Sequence, residues 1–307
     1  LKVCVNWTPS PSMRRCRSDA CYFSALRFRR LLALASVAAF RSVVADSSSH
    51  GYFDHSPSLL QLSATTSDEQ LAAGRGPQPD LDLAQKLAYI ADAAYCGDRF
   101  AGGTESITDW TCPPCKVDPN STDGGRLKNV STFGEAARQT FGFVGVTDNW
   151  GIRPHIVVSF RGSVRWVNYF DSRSPNAIPW NASLLRHPGG RGSIHEGIYQ
   201  AYEVTRGSMM EKFEALRASY PSYGILVTGH SFGGALAVYA ADELATSFPE
   251  TEVKLYAFAN QRPGDEDFVK SLDGMPNLEA GSVVHRGDDI PVHPQLSLGF
   301  WQLKRVL

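Results

Sequence analysis

The sequence predicts an α/β fold, a mostly parallel central sheet with helices on both faces. Three observations carry this. From residue 225 onward, short β-branched and aromatic runs alternate with helical periodicities, the order that strand–helix–strand units require. The 307 residues suffice for one large domain. The composition, 43% apolar and 20% charged, is that of a chain that buries a core.

The elements follow in order. Asp80 can cap a helix in which Leu83, Leu87, Ile90, Ala91 and Ala94 recur at helical spacing. Residues 97–130, rich in Gly, Pro and Thr, read as a loop. Runs at 141–146 and 155–160, joined by a turn containing Gly151, predict a hairpin. A long helix over 196–219 places Ile198, Tyr202, Met209, Phe213 and Leu216 on one side and stops before Pro221. Then come a strand at 225–228, a helix at 232–248, a strand at 253–258, a helix at 266–272 and a strand at 282–285. No internal repeat is visible. The reading is one three-layered domain over 80–307.

Upstream of it, six arginines between Arg14 and Arg30 precede an apolar run at 31–40, then Val43, Val44 and Ala45 before Asp46. A basic region, a short apolar core and a small residue predict a signal peptide within 1–45. The run is too short to span a membrane; the alternative is a buried amphipathic helix. Residues 46–79, rich in Ser, Gln, Gly and Pro, read as a flexible leader or pro-segment. A net charge of −1 offers nothing to nucleic acid.

Cys4, Cys16 and Cys21 fall before the predicted cleavage, leaving Cys96, Cys112 and Cys115. The Cys112-Pro-Pro-Cys115 stretch has no second pair to complete a zinc site and no strand–helix context for redox chemistry. A local disulfide is expected. Cys96 is then the odd cysteine of an exported protein. Sequons at Asn120, Asn129 and Asn181 are compatible with a glycoprotein.

The stretch Gly229-His230-Ser231-Phe232-Gly233-Gly234 lies directly after an apolar strand and directly before an Ala-rich helix. Such a turn crowds the residues flanking the serine, which is why glycine is needed at 229 and 233. It also presents the serine hydroxyl at a helix N-terminus, where amide groups favour developing negative charge. Ser231 is therefore the candidate nucleophile and the Phe232 N–H a candidate oxyanion donor.

Three further stretches, Phe160-Arg161-Gly162-Ser163, His195-Glu196-Gly197-Ile198 and Ala259-Asn260-Gln261-Arg262-Pro263-Gly264-Asp265, complete a pattern. In this order the chain resembles the class 3, fungal-type triacylglycerol lipases of the α/β-hydrolase fold, over roughly residues 85–300. The last stretch departs from the family's usual Gly-x-Pro-Arg-Val-Gly-Asn/Asp at Gln261 and Pro263. The resemblance implies that Ser163 adds a hydroxyl and an N–H to the oxyanion hole; as a bare residue, Ser163 can also cap the following segment. It implies a lid over 164–170, with Trp166, Val167, Tyr169 and Phe170 as its apolar face. In the family's Asp-x-Val-Pro-x-x-Pro, Asp288 takes the first place, followed by Ile290, Pro291 and Pro294, so Asp288 is the expected acid, with Asp289 in reserve.

The family's histidine base lies a few tens of residues beyond that aspartate, and this chain stops at Leu307. His293 follows Asp288 on the same turn; His230 is expected to point into the sheet, His285 to sit in a strand and His195 to be a structural hydrogen-bonder. No histidine is assigned as base. The resemblance also pairs the helix-end cysteine, here Cys96, with one near the C-terminus. Both missing partners lead to the expectation that the sequence is truncated at its C-terminal end.

The function expected is a secreted carboxylic-ester hydrolase working through an acyl-enzyme, first a triacylglycerol lipase, with phospholipase A1 or feruloyl esterase behind it. The partner is a lipid or other ester at an oil–water interface, and no metal or organic cofactor is implied. The contrasting reading is a lipase-like binding protein without activity.

Overall fold

The computed structural model describes residues 80–96, 107–115, 125–135, 140–150, 152–163, 183–285 and 287–304. The predicted signal peptide and leader lie outside these residues. So do the lid residues Trp166, Val167, Tyr169 and Phe170, and Asn120 and Asn181.

Helix α1 (Leu81–Ala93) starts where Asp80 accepts a hydrogen bond from the Leu83 N–H, and it buries Leu83, Leu87, Ile90 and Ala91. Strands β1 (Lys128–Glu135), β2 (Thr140–Thr147) and β3 (His155–Phe160) form an antiparallel meander. A small ribbon of β4 (Leu184–Arg186) and β5 (Ser193–His195) leads into α2 (Glu196–Ser219). Then β6 (Gly224–His230), α3 (Phe232–Ser247), β7 (Val253–Phe258), α4 (Glu266–Asp273) and β8 (Leu278–Val283) alternate. The main sheet runs β1-β2-β3-β6-β7-β8, parallel from β3 onward. This is the expected α/β-hydrolase arrangement.

Alternation along the strands feeds two apolar layers. Val158, Ile225, Val227, Leu255 and Ala280 pack with α2, α3 and α4 on one face. Val157, Leu226, Tyr256 and Val283 point to the other face, against α1 and the 107–115 segment. That segment carries the expected disulfide, Cys112–Cys115, with both residues buried. Among the described residues no helix is long and apolar enough to cross a membrane.

Two expectations are corrected and one element is added. The loop read over 97–130 ends in β1, whose Lys, Asn, Ser and Thr residues hide an edge strand with Phe133 its one buried side chain. The last strand is Leu278–Val283 rather than 282–285, so His285 is exposed beyond it. The β4–β5 ribbon is new; its β4 residues are exposed and too few to leave a periodic signal.

Candidate active site

Strand β6 ends at His230 and α3 begins at Phe232, so Ser231 alone turns the chain. Its φ of 56° and ψ of −125° lie where L-residues rarely sit, which stores strain of about 1–3 kcal/mol. The fold holds it there. The Ser231 N–H donates to the Phe258 carbonyl at 2.8 Å, and the Ser231 carbonyl accepts from the Gly234 and Ala235 N–H groups at 2.9 and 3.2 Å. A Cβ on Gly229 would collide with the Gly233 carbonyl, and one on Gly233 with the Phe160 carbonyl. The two elbow glycines are thus demanded by the close passage of β6, α3 and β3. Phe232 is the first helical residue, and its N–H has no carbonyl partner within the helix.

Register brings the second candidate wall alongside. Phe160 pairs with Gly229, so Arg161-Gly162-Ser163 leaves β3 beside the elbow. A Cβ on Gly162 would stand 2.5 Å from the His230 carbonyl oxygen and 3.2 Å from the Ser231 Cβ. Ser163 is the next residue and is exposed.

His230 pairs with Phe258, and Phe258 with Val283, so β6, β7 and β8 end together. Asp288 follows β8 by five residues and therefore lies at the same end of the sheet as Ser231 and Ser163. It is half-buried, and one carboxylate oxygen accepts the Ile290 N–H at 3.0 Å.

A polar lattice ties this turn to the loop after β7. The buried Arg262 Nη1 donates to the carbonyls of Val292 and Pro294, both at 2.7 Å, and the Arg262 N–H donates to the His293 carbonyl. The Asn260 Nδ2 donates to the Gln302 Oε1 at 3.1 Å, and the Asn260 Oδ1 accepts from the Ser282 hydroxyl at 2.7 Å. Gln302 Nε2 donates back to the Asn260 and Pro291 carbonyls. Tyr95, Ser282 and Gln302 escaped the sequence reading because their partners are far away in the chain and no motif includes them. Arg262 was visible only through its family motif.

Three of the described histidines hydrogen-bond elsewhere. His230 Nδ1 is 2.8 Å from the Tyr95 hydroxyl, and desolvation pushes the imidazole down to about 4. His195 caps α2 by accepting the Ile198 N–H, as a structural hydrogen-bonder, and burial lowers it to about 4. His187 Nε2 is 3.0 Å from the Asp242 carboxylate. His155 lies at the opposite end of the sheet. His293 donates its N–H to the Ile290 carbonyl within the Asp288 turn. Among the described residues, none of these side chains hydrogen-bonds Ser231.

Residues 157–298 match the model of the class 3 lipases, from the middle of β3 to the turn beyond Asp288. Over that stretch the chain is similar to the class 3 lipases. The class 3 lipase match takes in Ser163, Ser231, Phe232 and Asp288, and leaves out α1, β1 and β2. The chain is 27% identical over 250 residues to a secreted mono- and diacylglycerol lipase of Gibberella zeae, covering 70% of this chain and 59% of that protein. It is 30% identical over 189 residues to phospholipase A1-IIgamma of Arabidopsis thaliana, covering 50% of this chain and 43% of the relative. Among solved structures it is similar to lipase II of Rhizopus niveus, with a TM-score of 0.56 and 27% identity over 71% of this chain and 76% of that one. The chain thus spans about three fifths or less of the length of these two sequence relatives. Tyr95, which meets Gly162 and His230, lies outside the class 3 lipase match.

Proposed function

We propose that this chain carries the nucleophile of a secreted carboxylic-ester hydrolase, first a triacylglycerol lipase, acting on lipid at an oil–water interface. The observation that carries the reading is Ser231, held at positive φ between β6 and α3 with the Gly162 backbone against it. In the reaction, Ser231 Oγ adds to the ester carbonyl carbon. The oxyanion formed accepts hydrogen bonds from the Phe232 N–H and from Ser163, each worth about 2.7–4 kcal/mol in the transition state. Collapse expels the alcohol, and water then frees the acid from the acyl-enzyme. Asp288 orients the imidazole that carries the proton; no described histidine is assigned that role. Trp166, Val167, Tyr169 and Phe170 supply the lid's apolar face, and 1–45 and 46–79 are the export signal and leader of a catalytic domain that begins at 80. The secreted fungal relative supports export, and its name supports acylglycerol substrates.

The test is hydrolysis of short- and long-chain triacylglycerol emulsions and of phosphatidylcholine by the full-length product and its Ser231→Ala variant. Turnover that falls by roughly 10⁴-fold in the variant is expected. Unchanged turnover in the variant would remove Ser231 from the mechanism. A second reading, a lipase-like binding protein, is favoured by the absence of a histidine on Ser231 among the described residues. It predicts emulsion binding with no Ser231-dependent turnover. Phosphatidylcholine as the best substrate would move the assignment towards the phospholipase A1 relatives.

A further inference from the structure

Of the three sequons beyond the predicted signal peptide, Asn129-Val130-Ser131 lies among the described residues. Asn129 is exposed near the start of β1, the edge strand of the main sheet. The pairing of β1 with β2 slips between Lys128 and Ser131, and Asn129 sits in that irregularity at φ 51°. Asparagine tolerates this left-handed conformation better than most residues. Its side chain consequently stands off the ladder instead of taking part in it.

The surroundings are suited to a sugar. The Asn129 Nδ2 donates to the Tyr220 hydroxyl at 2.6 Å. The Tyr220 ring lies 4.8 Å from that of Tyr223, and both side chains are half-buried, an aromatic platform beside the amide nitrogen. The site is also remote from the chemistry. Lys128 pairs with Val146, Val146 with Ile156 and Ile156 with Ile225, so Asn129 belongs to the end of the sheet where β3 and β6 begin. Ser231 lies at the other end.

We propose that Asn129 carries an N-linked glycan whose first N-acetylhexosamine packs on Tyr220. In forming it, the Asn129 Nδ2 displaces a pyrophosphate-linked lipid from the anomeric carbon of the activated oligosaccharide. One amide proton is lost, and the remaining N–H still serves Tyr220. The glycan shields a terminal strand of the sheet, the kind of element that can template association with another chain. The inference rests on the export reading above.

The experiment expresses the full chain in a eukaryotic secretory host, once with its own N-terminus and once behind the host's secretion leader. Secreted protein is treated with the amidase that releases N-glycans and leaves aspartate at each occupied asparagine. Aspartate at 129 is expected, with the loss of one glycan in both Asn129→Gln and Ser131→Ala. The untreated protein should melt on the order of 2 °C above the treated one, a difference that disappears in Tyr220→Ala. Leader-directed protein secreted with intact asparagine at 129 overturns the site. A melting difference that survives Tyr220→Ala overturns the sugar–tyrosine contact. Glycosylation behind the host leader, with retention of the chain carrying its own N-terminus, sinks the export reading and leaves the site standing.

Discussion

Ser231 and Ala259 occupy equivalent places: each is the first residue past its strand, and each holds positive φ without being glycine. Their N–H groups close onto the neighbouring strand, Ser231 on Phe258 and Ala259 on Val283. For Ser231 the strained turn presents a hydroxyl. For Ala259 it presents only a methyl group. Left-handed backbone costs an L-residue about 1–2 kcal/mol, and glycine returns some 0.5–1 kcal/mol of that as chain entropy. Ala259→Gly should therefore stabilise the protein by about 0.5 kcal/mol, seen as a higher urea midpoint with an unchanged slope. A lower midpoint would mean that the Ala259 methyl packs for more than the backbone strain it carries.

At the scale of elements, the turn that bears Asp288 has no regular structure of its own beyond a single 3₁₀ turn at Ile290–Val292. Its position comes from Arg262, whose Nη1 serves two of its carbonyls, and from the Asn260–Gln302 exchange. Charged hydrogen bonds of this kind contribute about 1.5–3 kcal/mol, and removing the donor strands the buried acceptors. Arg262→Ala should cost about 2–3 kcal/mol of stability. It should also open the 287–298 stretch to limited proteolysis before the rest of the domain. Cleavage at wild-type rate in that stretch would show that Gln302 and the neighbouring backbone hold it alone. The same scale explains where sequence reading slipped. β1 has almost no apolar run because among the described residues one side of it has no strand neighbour, and β8 is broken by Glu279 and Gly281, so Val283 and Val284 drew the predicted strand too late.

At the scale of the whole molecule, three of the described histidines are held neutral. Burial lowers His155, His195 and His230 each to about 4. Each therefore has a folded value below its unfolded value of about 6.5. The unfolded chain binds more protons between the two values, so stability is full above about 6.5 and falls as pH drops towards 4. Each histidine contributes a slope of about 1.4 kcal/mol per pH unit inside that window. Melting temperature should decline steeply from pH 6.5 to 4, and His155→Asn should flatten the decline. A melting temperature constant over that range would contradict the burial of all three.

The sequence alone determined the alternating order of elements, the helix cap at Asp80, and the elbow at Ser231. These are local properties: periodicity, capping chemistry and glycine spacing act within a few residues of one another. The tertiary structure decided the rest. Only strand register sets Gly162 against Ser231 and aligns the ends of β6, β7 and β8, so that Ser163 and Asp288 share one end of the sheet. Only folding brings Gln302 to Asn260 and Tyr95 to His230, across 42 and 135 residues. Contacts of that span leave no periodic trace in a chain, because their partners are chosen by the packing of whole elements.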